Sequence, residues 1–384
     1  MNHLGLYLHI PFCRTKCGYC DFYSLPGCSE KEMDGYLDAL LAHLAEFFPT
    51  PQQRTADTVY IGGGTPSLLG GKRIARLLKA VEKRVTLARN CEITLEVNPE
   101  SVDKALMKAV RAAGVNRVSM GVQSAHDGEL KALGRLHTFA EAERAVEVIR
   151  KYCTDNISLD LMYGLPNQDM AAWQHSIRAV MALGPKHISC YSLKLEEGTS
   201  MGDAAPSLPE GDAQAEMYLW AVELLARSGW RQYEISNFAI PGYESRHNSR
   251  YWDLSEYVGL GCGAASYYGG RRFTFVADLA GYISGLSGRG SILAEADDAP
   301  FYRRIGEYLM LGLRTVRGVS EDELQSRFEA DFAPYAKVLE GFAASGHAEF
   351  KNDRWRLTPT GFLVSNHIIG AVLEAGECGE GNAI

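Results

Sequence analysis

Residues 5–24 read GLYLHIPFCRTKCGYCDFYS. The first half is an apolar run of strand composition, in which Tyr7 and His9, two apart, share a face. Pro11 ends it, and three cysteines follow, Cys13, Cys17 and Cys20. Pro11 and Gly18 make that part a loop. In barrel folds such C-terminal strand ends build the site.

Working outward, the same texture returns. Strand-like runs stand at 58–66 (TVYIGGGTP), 92–99 (EITLEVNP), 117–123 (RVSMGVQ), 156–166 (NISLDLMYGLP) and 187–198 (HISCYSLKLEEG). Between them lie segments with helical periodicity. In KEMDGYLDALLAHLAEFF, residues Met33, Leu37, Leu40, Leu41, Leu44 and Phe48 fall on one stripe. Ala113-Gly114 and Ser228-Gly229 read as helix ends with glycine just beyond. Six β-α units in series predict a parallel sheet, since parallel neighbours need a helical crossover. Six is short of the eight of a closed barrel. The expected fold is therefore α/β, a partial (β/α)6 barrel over residues 1–230.

Polar and glycine residues collect where these strands end: the cysteine loop, Gly62-Gly63-Gly64-Thr65-Pro66, Glu96 with Asn98-Pro99, Gln123, and Asp160 with Tyr163-Gly164. Packing alone does not require five polar strand ends. Residues 231–295 differ, being rich in Gly, Tyr and Ser. Residues 296–372 read as a smaller C-terminal α+β module: two helices, a hairpin across Lys351-Asn352-Asp353, then a last helix, in the manner of a winged helix. Residues 373–384 read as a disordered tail.

Composition narrows the function. The chain has 384 residues, 46% hydrophobic, with net charge −8 and a pI near 5.7. It has no basic stripe of the kind nucleic-acid binding needs. No stretch approaches the ~18 apolar residues of a membrane span. The start, MNHLGLYLHIPFC, lacks a cationic leader and is broken by His9 and Pro11, unlike a signal peptide. Nine cysteines, six of them scattered, suit a reducing compartment, so a cytoplasmic location is expected.

The spacing C-x3-C-x2-C leaves three readings open. Three thiolates can hold three corners of a cubane iron–sulfur cluster, leaving the fourth iron for an outside ligand. They can hold zinc with a fourth residue. Cys17-Gly-Tyr-Cys20 also has thioredoxin-like spacing, which leaves Cys13 idle. Free thiols with no function are the plain alternative. The GGG run lacks a following Gly-Lys-Ser/Thr and is no phosphate loop.

The loop, with Tyr19 before its third cysteine, resembles that of radical S-adenosylmethionine enzymes, and GGGTP resembles their glycine motif. With EVNPE, GVQS, LGRLH and DLMYGLP in order, residues 4–370 resemble the oxygen-independent coproporphyrinogen III dehydrogenase group of that family. The resemblance implies a [4Fe–4S] cluster on Cys13, Cys17 and Cys20. It implies S-adenosylmethionine held by Gly63, Gly64, Thr65, Glu96, Gln123, Arg135 and Asp160, with Tyr7 and His9 lining the cluster pocket. Taken singly, each of these polar residues is more often structural.

The group has a dehydrogenase branch and a heme-chaperone branch. Three features resemble the second. Only twelve residues precede Cys13, where the dehydrogenase has a long segment. Phe22 stands where the dehydrogenase has a further cysteine. RHNSRYW matches the H-N-x-x-Y-W signature of the chaperone branch. That resemblance implies heme at His247, Asn248, Tyr251 and Trp252: an imidazole ligand, an amide to orient it, and two rings to stack on the porphyrin. Without it, the same residues read as a buried loop support. Heme-accepting proteins and an electron donor for the cluster are the implied partners. A homodimer and peripheral contact with membrane-bound hemoproteins stay open. Coproporphyrinogen dehydrogenase activity is expected to be absent, and that activity or another radical oxidoreductase remains the alternative.

Overall fold

The computed structural model describes residues 3–289, 291–297 and 304–380. The chain forms two compact units, one of Met1–Gln214 with Glu256–Asp297, the other of Ala215–Ser255 with Asp298–Ile384.

In the first unit the six expected strands form one parallel sheet. They are β1 (Leu4–Ile10), β2 (Thr55–Gly63), β3 (Thr86–Val97), β4 (Arg117–Gln123), β5 (Ile157–Tyr163) and β6 (His187–Ser192), side by side in chain order. Crossover helices include α1 (Glu30–Phe47), α2 (Gly70–Arg84), α3 (Lys104–Ala112), α4 (Phe139–Tyr152) and α5 (Met170–Ala182). One face of each strand is apolar and buried: Leu6, Leu8 and Ile10; Val59 and Ile61; Ile93, Leu95 and Val97; Val118, Met120 and Val122. Each such side chain contributes about 1.5–3 kcal/mol by leaving water. The opposite face is polar: Tyr7 and His9, Thr58 and Tyr60, Thr94 and Glu96, Arg117 and Ser119, Ser158 and Asp160, His187 and Ser189. Parallel strands covered on both sides are usually apolar throughout. Here the alternation marks an inner chamber.

Helix α1 buries Met33, Leu37, Leu40 and Leu44 of its predicted stripe, with Phe48 buried at its C-cap and Leu41 half-buried, and adds Tyr36 and His43. Ser29 caps it, with Glu32 completing a reciprocal capping box. Gly114 and Gly229 take positive φ at the helix ends where the sequence puts them.

The glycine-rich stretch after residue 255 belongs to the sheet. Strand β7 (Tyr257–Leu260) pairs in parallel with the free side of β1, Gly5 opposite Tyr257 and Leu8 opposite Leu260. Three antiparallel strands continue outward: β8 (Ala265–Tyr268), β9 (Arg271–Phe275) and β10 (Leu293–Asp297). The strand pattern escapes the eye because glycines flank so short an apolar run. Gly261 is there by necessity: φ is +117°, and a Cβ would stand 2.6 Å from the Tyr36 hydroxyl.

The second unit carries α6 (Arg246–Asp253), α7 (Arg304–Gly312), α8 (Glu321–Phe328) and α9 (Ala333–Ala344). Then come the hairpin β11 (Ala348–Lys351) and β12 (Arg354–Leu357), and the helices α10 (Pro359–Leu363) and α11 (Ser365–Glu380). Asn352 and Asp353, φ 54° and 58°, turn the hairpin as a type I′ pair. Where the sequence suggests two helices before the hairpin, three are present; α9 carries Pro334 in its first turn, where a fixed φ is pre-organised for a helix. Helix α11 also runs through most of the tail given no structure above; residues 381–384 lie outside the described residues. No helix among the described residues is long and apolar enough to cross a membrane.

Candidate functional site at the barrel mouth

The cysteine loop is tied down on three sides. Phe12–Cys13 pairs with Leu25–Pro26, and Gly27 N–H donates to the Cys13 carbonyl at 3.3 Å. The glycine loop after β2 docks alongside, Gly64 N–H on the Ile10 carbonyl (2.9 Å) and Thr65 N–H on that of Phe12 (2.7 Å). Gly18 bridges outward: its N–H donates to the Leu133 carbonyl (3.1 Å) and its carbonyl accepts from Met201 N–H (2.8 Å). All three cysteines are half-buried. Among the described residues no three His, Cys, Asp or Glu side chains gather as ligands of a single ion.

A hydrogen-bonded relay joins two of the sulfurs. Arg135 Nη1 donates to Cys17 Sγ (3.6 Å); Arg135 Nη2 donates to Asn98 Oδ1 and to the Gly121 carbonyl, each at 2.8 Å. Asn98 Nδ2 donates to Thr65 Oγ1 (3.0 Å), and Thr65 Oγ1–H points at Cys13 Sγ (3.7 Å). Burial holds the Cys13 thiol above its ordinary pKa, while the Thr65 donor pulls the other way. Donors aimed at sulfur favour the thiolate. The Arg135 Nε is buried with no partner among the described residues. This donor set suits a thiolate-bound cluster.

The glycines are fixed by crowding. At Gly63 φ is +120°, and a Cβ would lie 2.7 Å from the His9 ring; at Gly64 it would lie 2.6 Å from the Phe12 carbonyl oxygen and 2.9 Å from Cys13 Sγ. Backbone therefore reaches the sulfur with nothing in between.

Two carboxylates face the chamber beneath. Glu96 accepts from Tyr60 Oη at 2.6 Å and from Gly63 N–H at 3.0 Å. Burial pushes its carboxyl up to about 7, against the pull of those two donors. Asp160 accepts from Ser189 Oγ at 2.7 Å, and burial raises its carboxyl too. Gln123 ends β4 with φ +70°, its Oε1 accepting from Tyr191 Oη at 2.9 Å. A non-glycine residue in that region is held by its surroundings.

His9 is enclosed. Its Nδ1 accepts from Tyr7 Oη (3.0 Å) and its Nε2 donates to the Tyr23 carbonyl (3.2 Å), which selects the Nε2–H tautomer. Burial lowers its pKa to about 4, so the ring is neutral. It serves as a wall beside Gly63, with both nitrogens engaged.

Cys13, Cys17, Cys20, Tyr7, His9, Gly63, Gly64, Thr65, Glu96, Gln123, Arg135 and Asp160 all lie in the first unit, around the C-terminal strand ends and the chamber. His247, Asn248, Tyr251 and Trp252 lie in the second, on α6. Ser245 caps that helix through Asn248 N–H at 3.3 Å. His247 is fully buried; its Nε2 is hydrogen-bonded to Tyr251 Oη at 3.0 Å, one turn on, with the rings edge to face. Asn248, Tyr251 and Trp252 are half-buried.

Sequence reading missed Tyr60, Tyr191 and Arg117 as chamber residues and gave Asn98 no role. The signal was the two-residue alternation: Tyr60 and Tyr191 each sit on the polar face of their strand.

The Radical SAM superfamily profile matches residues 7–180, and that of the HemN C-terminal domain matches residues 303–364. The chain is 36% identical to the heme chaperone HemW of Escherichia coli (95% of this chain, 97% of the relative). It is 35% identical to that of Haemophilus influenzae (95% and 97%) and 34% identical to that of Bacillus subtilis (96% and 98%). Among solved structures it resembles coproporphyrinogen III oxidase (HemN) from Escherichia coli, a radical SAM enzyme. The TM-score is 0.86 at 22% identity, over 97% of this chain and 90% of that one.

Proposed function

The chain belongs to the HemW family, and we propose that it is a heme chaperone carrying a [4Fe–4S] cluster and S-adenosylmethionine and passing heme to acceptor hemoproteins. What supports this reading most is the relay from Cys17 through Arg135, Asn98 and Thr65 to Cys13. It gathers residues from four strand ends around the thiols, beside a glycine loop that leaves the sulfur open. The relatives named heme chaperones are similar over nearly the whole chain. The likeness to HemN is one of fold.

In this reading Cys13, Cys17 and Cys20 supply thiolates, and Arg135 and Thr65 steady two of them. The bound cluster and cofactor together supply one-electron chemistry. The Cβ-free backbone of Gly63 and Gly64 and the Thr65 side chain would border the methionine end of the cofactor, the two glycine N–H groups being held by Glu96 and by the Ile10 carbonyl. Glu96, Gln123 and Asp160 take its cationic and hydroxyl groups, and Tyr7 and His9 close the wall against water. On α6, His247 offers an imidazole to heme iron once Tyr251 releases it, Asn248 steadies the helix, and the Tyr251 and Trp252 rings cover the porphyrin face. A cytoplasmic location, heme-accepting proteins and an electron donor for the cluster go with the same reading.

An anaerobic heme titration of wild type and His247→Ala tests it. A saturable Soret shift near one heme per chain, lost or blue-shifted in the variant, supports the chaperone reading. Absence of the shift in wild type, or conversion of coproporphyrinogen III when reductant and S-adenosylmethionine are supplied, would replace it with the dehydrogenase reading.

A further inference from the structure

Beneath Glu96 and Asp160 the chamber holds a cation that no role above uses. Arg117 opens β4 opposite Thr94, which is paired with Tyr60, itself paired with Tyr7. The register puts its side chain on the chamber face, below Ser119 and on the same side as Glu96. It is 1% exposed, and its Nε and Nη1 are buried with no hydrogen-bond partner among the described residues. A guanidinium so enclosed is costly to the fold, and an apolar side chain would fill the same space without that cost.

Its charged and titratable surroundings come from each neighbouring strand. Tyr60 stands on β2, Glu92 and Glu96 on β3, Asp160 on β5, His187 on β6, and Arg135 approaches from the loop beyond β4. His187 is fully buried and shares a proton position with Ser158 Oγ at 2.7 Å, so it adds no positive charge of its own. Arg117 draws down both chamber carboxyls, each of which burial alone drives upward. Tyr60 and Gly63 fix the direction in which Glu96 points, and Ser189 does so for Asp160.

We propose that Arg117 is a positioning residue that works from the chamber floor to favour the carboxylate forms of Glu96 and Asp160 against their burial, so that the mouth above presents negative charge to a cationic ligand. The ligand's identity as S-adenosylmethionine, with its ammonium and sulfonium groups, rests on the function proposed above. The charge state of the carboxyls does not.

Two measurements on the cluster-loaded protein, without reductant, separate these. The first is the infrared stretch of protonated carboxyl groups at pH 7 in wild type, Arg117→Met and Arg117→Lys. The methionine variant gains intensity, the lysine variant stays near wild type, and Arg117→Met combined with Glu96→Gln loses most of the gain. The second is S-adenosylmethionine affinity by equilibrium dialysis from pH 6 to 9. In Arg117→Met it falls about fivefold at pH 7, the effect of raising a carboxyl pKa from about 7 by one unit, and recovers towards wild type by pH 9; Arg117→Lys restores it. Arg117→Gln replaces the methionine variant should that not fold. Unchanged infrared intensity, or a loss of affinity equal at every pH and not rescued by lysine, overturns the proposal. The infrared gain with no cofactor binding by wild type keeps Arg117's role and removes the cofactor reading.

Discussion

Arg135 donates to the sulfur of Cys17 at 3.6 Å, joining residues 118 positions apart in the chain. The same guanidinium satisfies Asn98 Oδ1 and the Gly121 carbonyl. One planar fork thus sets the cysteine loop against two strand ends, which a point-charged lysine cannot copy. Arg135→Met should destabilise the apoprotein by about 2 kcal/mol, the order expected for stranding partly buried acceptors. It should also cut iron and sulfide bound after anaerobic reconstitution to under half of wild type, with Arg135→Lys intermediate. Urea unfolding and metal analysis read the two effects. Full iron content in Arg135→Met would show that the relay holds the fold and not the cluster.

The buried Glu96 gives a pH signature with a definite sign. Its folded pKa, about 7, lies above the ordinary 4.5, so the native state holds a proton that the unfolded chain gives up first. Stability contributed by the protonated form is complete below pH 4.5 and is lost as pH rises to 7, by about 3 kcal/mol in all. Glu96→Gln should flatten that part of the curve. The measurement is the difference between wild type and variant in urea midpoint across pH 4.5–8. Glu234 in the second unit shifts in the same direction but is common to both proteins and cancels. A difference that does not change with pH would mean Glu96 titrates normally.

Much of this was legible in the sequence because period and spacing carry it. The six strands, the α1 stripe from Met33 to Leu44 and the polar strand ends follow from alternation and from where glycine and proline fall. Strand β7 was not legible: Tyr257–Leu260 is four residues among glycines, and only its register with β1 makes it a strand. Nor was the link from Asn98 to Thr65, because hydrogen bonds between loops of distant strands leave no local pattern. His247 shows the limit from the other side. Its motif is visible, yet its burial against Tyr251 is set by α6 and its neighbours in space.

The glycine loop offers a test that spares the fold. A Cβ at position 64 would meet the Phe12 carbonyl oxygen at 2.6 Å and Cys13 Sγ at 2.9 Å, both inside ordinary contact. Backbone cannot yield as a side chain can, so Cys13 must move. Gly64→Ala should retain helical content by circular dichroism while binding less than half the wild-type iron. Normal cluster loading would mean that Cys13 has room to retreat and that the glycine serves the cofactor alone.

Tyr251 sits where the proposed heme ligand must act. Its hydroxyl occupies His247 Nε2 at 3.0 Å, an i,i+4 pair on one helix. If iron takes Nε2, the hydroxyl is a competitor that has to leave first. Tyr251→Phe should then bind heme faster, with the Soret position of wild type, and lose about 1 kcal/mol of stability for the missing bond. Stopped-flow absorbance under anaerobic conditions measures the rate, beside His247→Ala as the control that loses the ligand. Slower or weaker binding in Tyr251→Phe would reverse the geometry. The hydroxyl would then orient the ring from behind, as outer partners of ligating histidines do, and the iron would meet Nδ1.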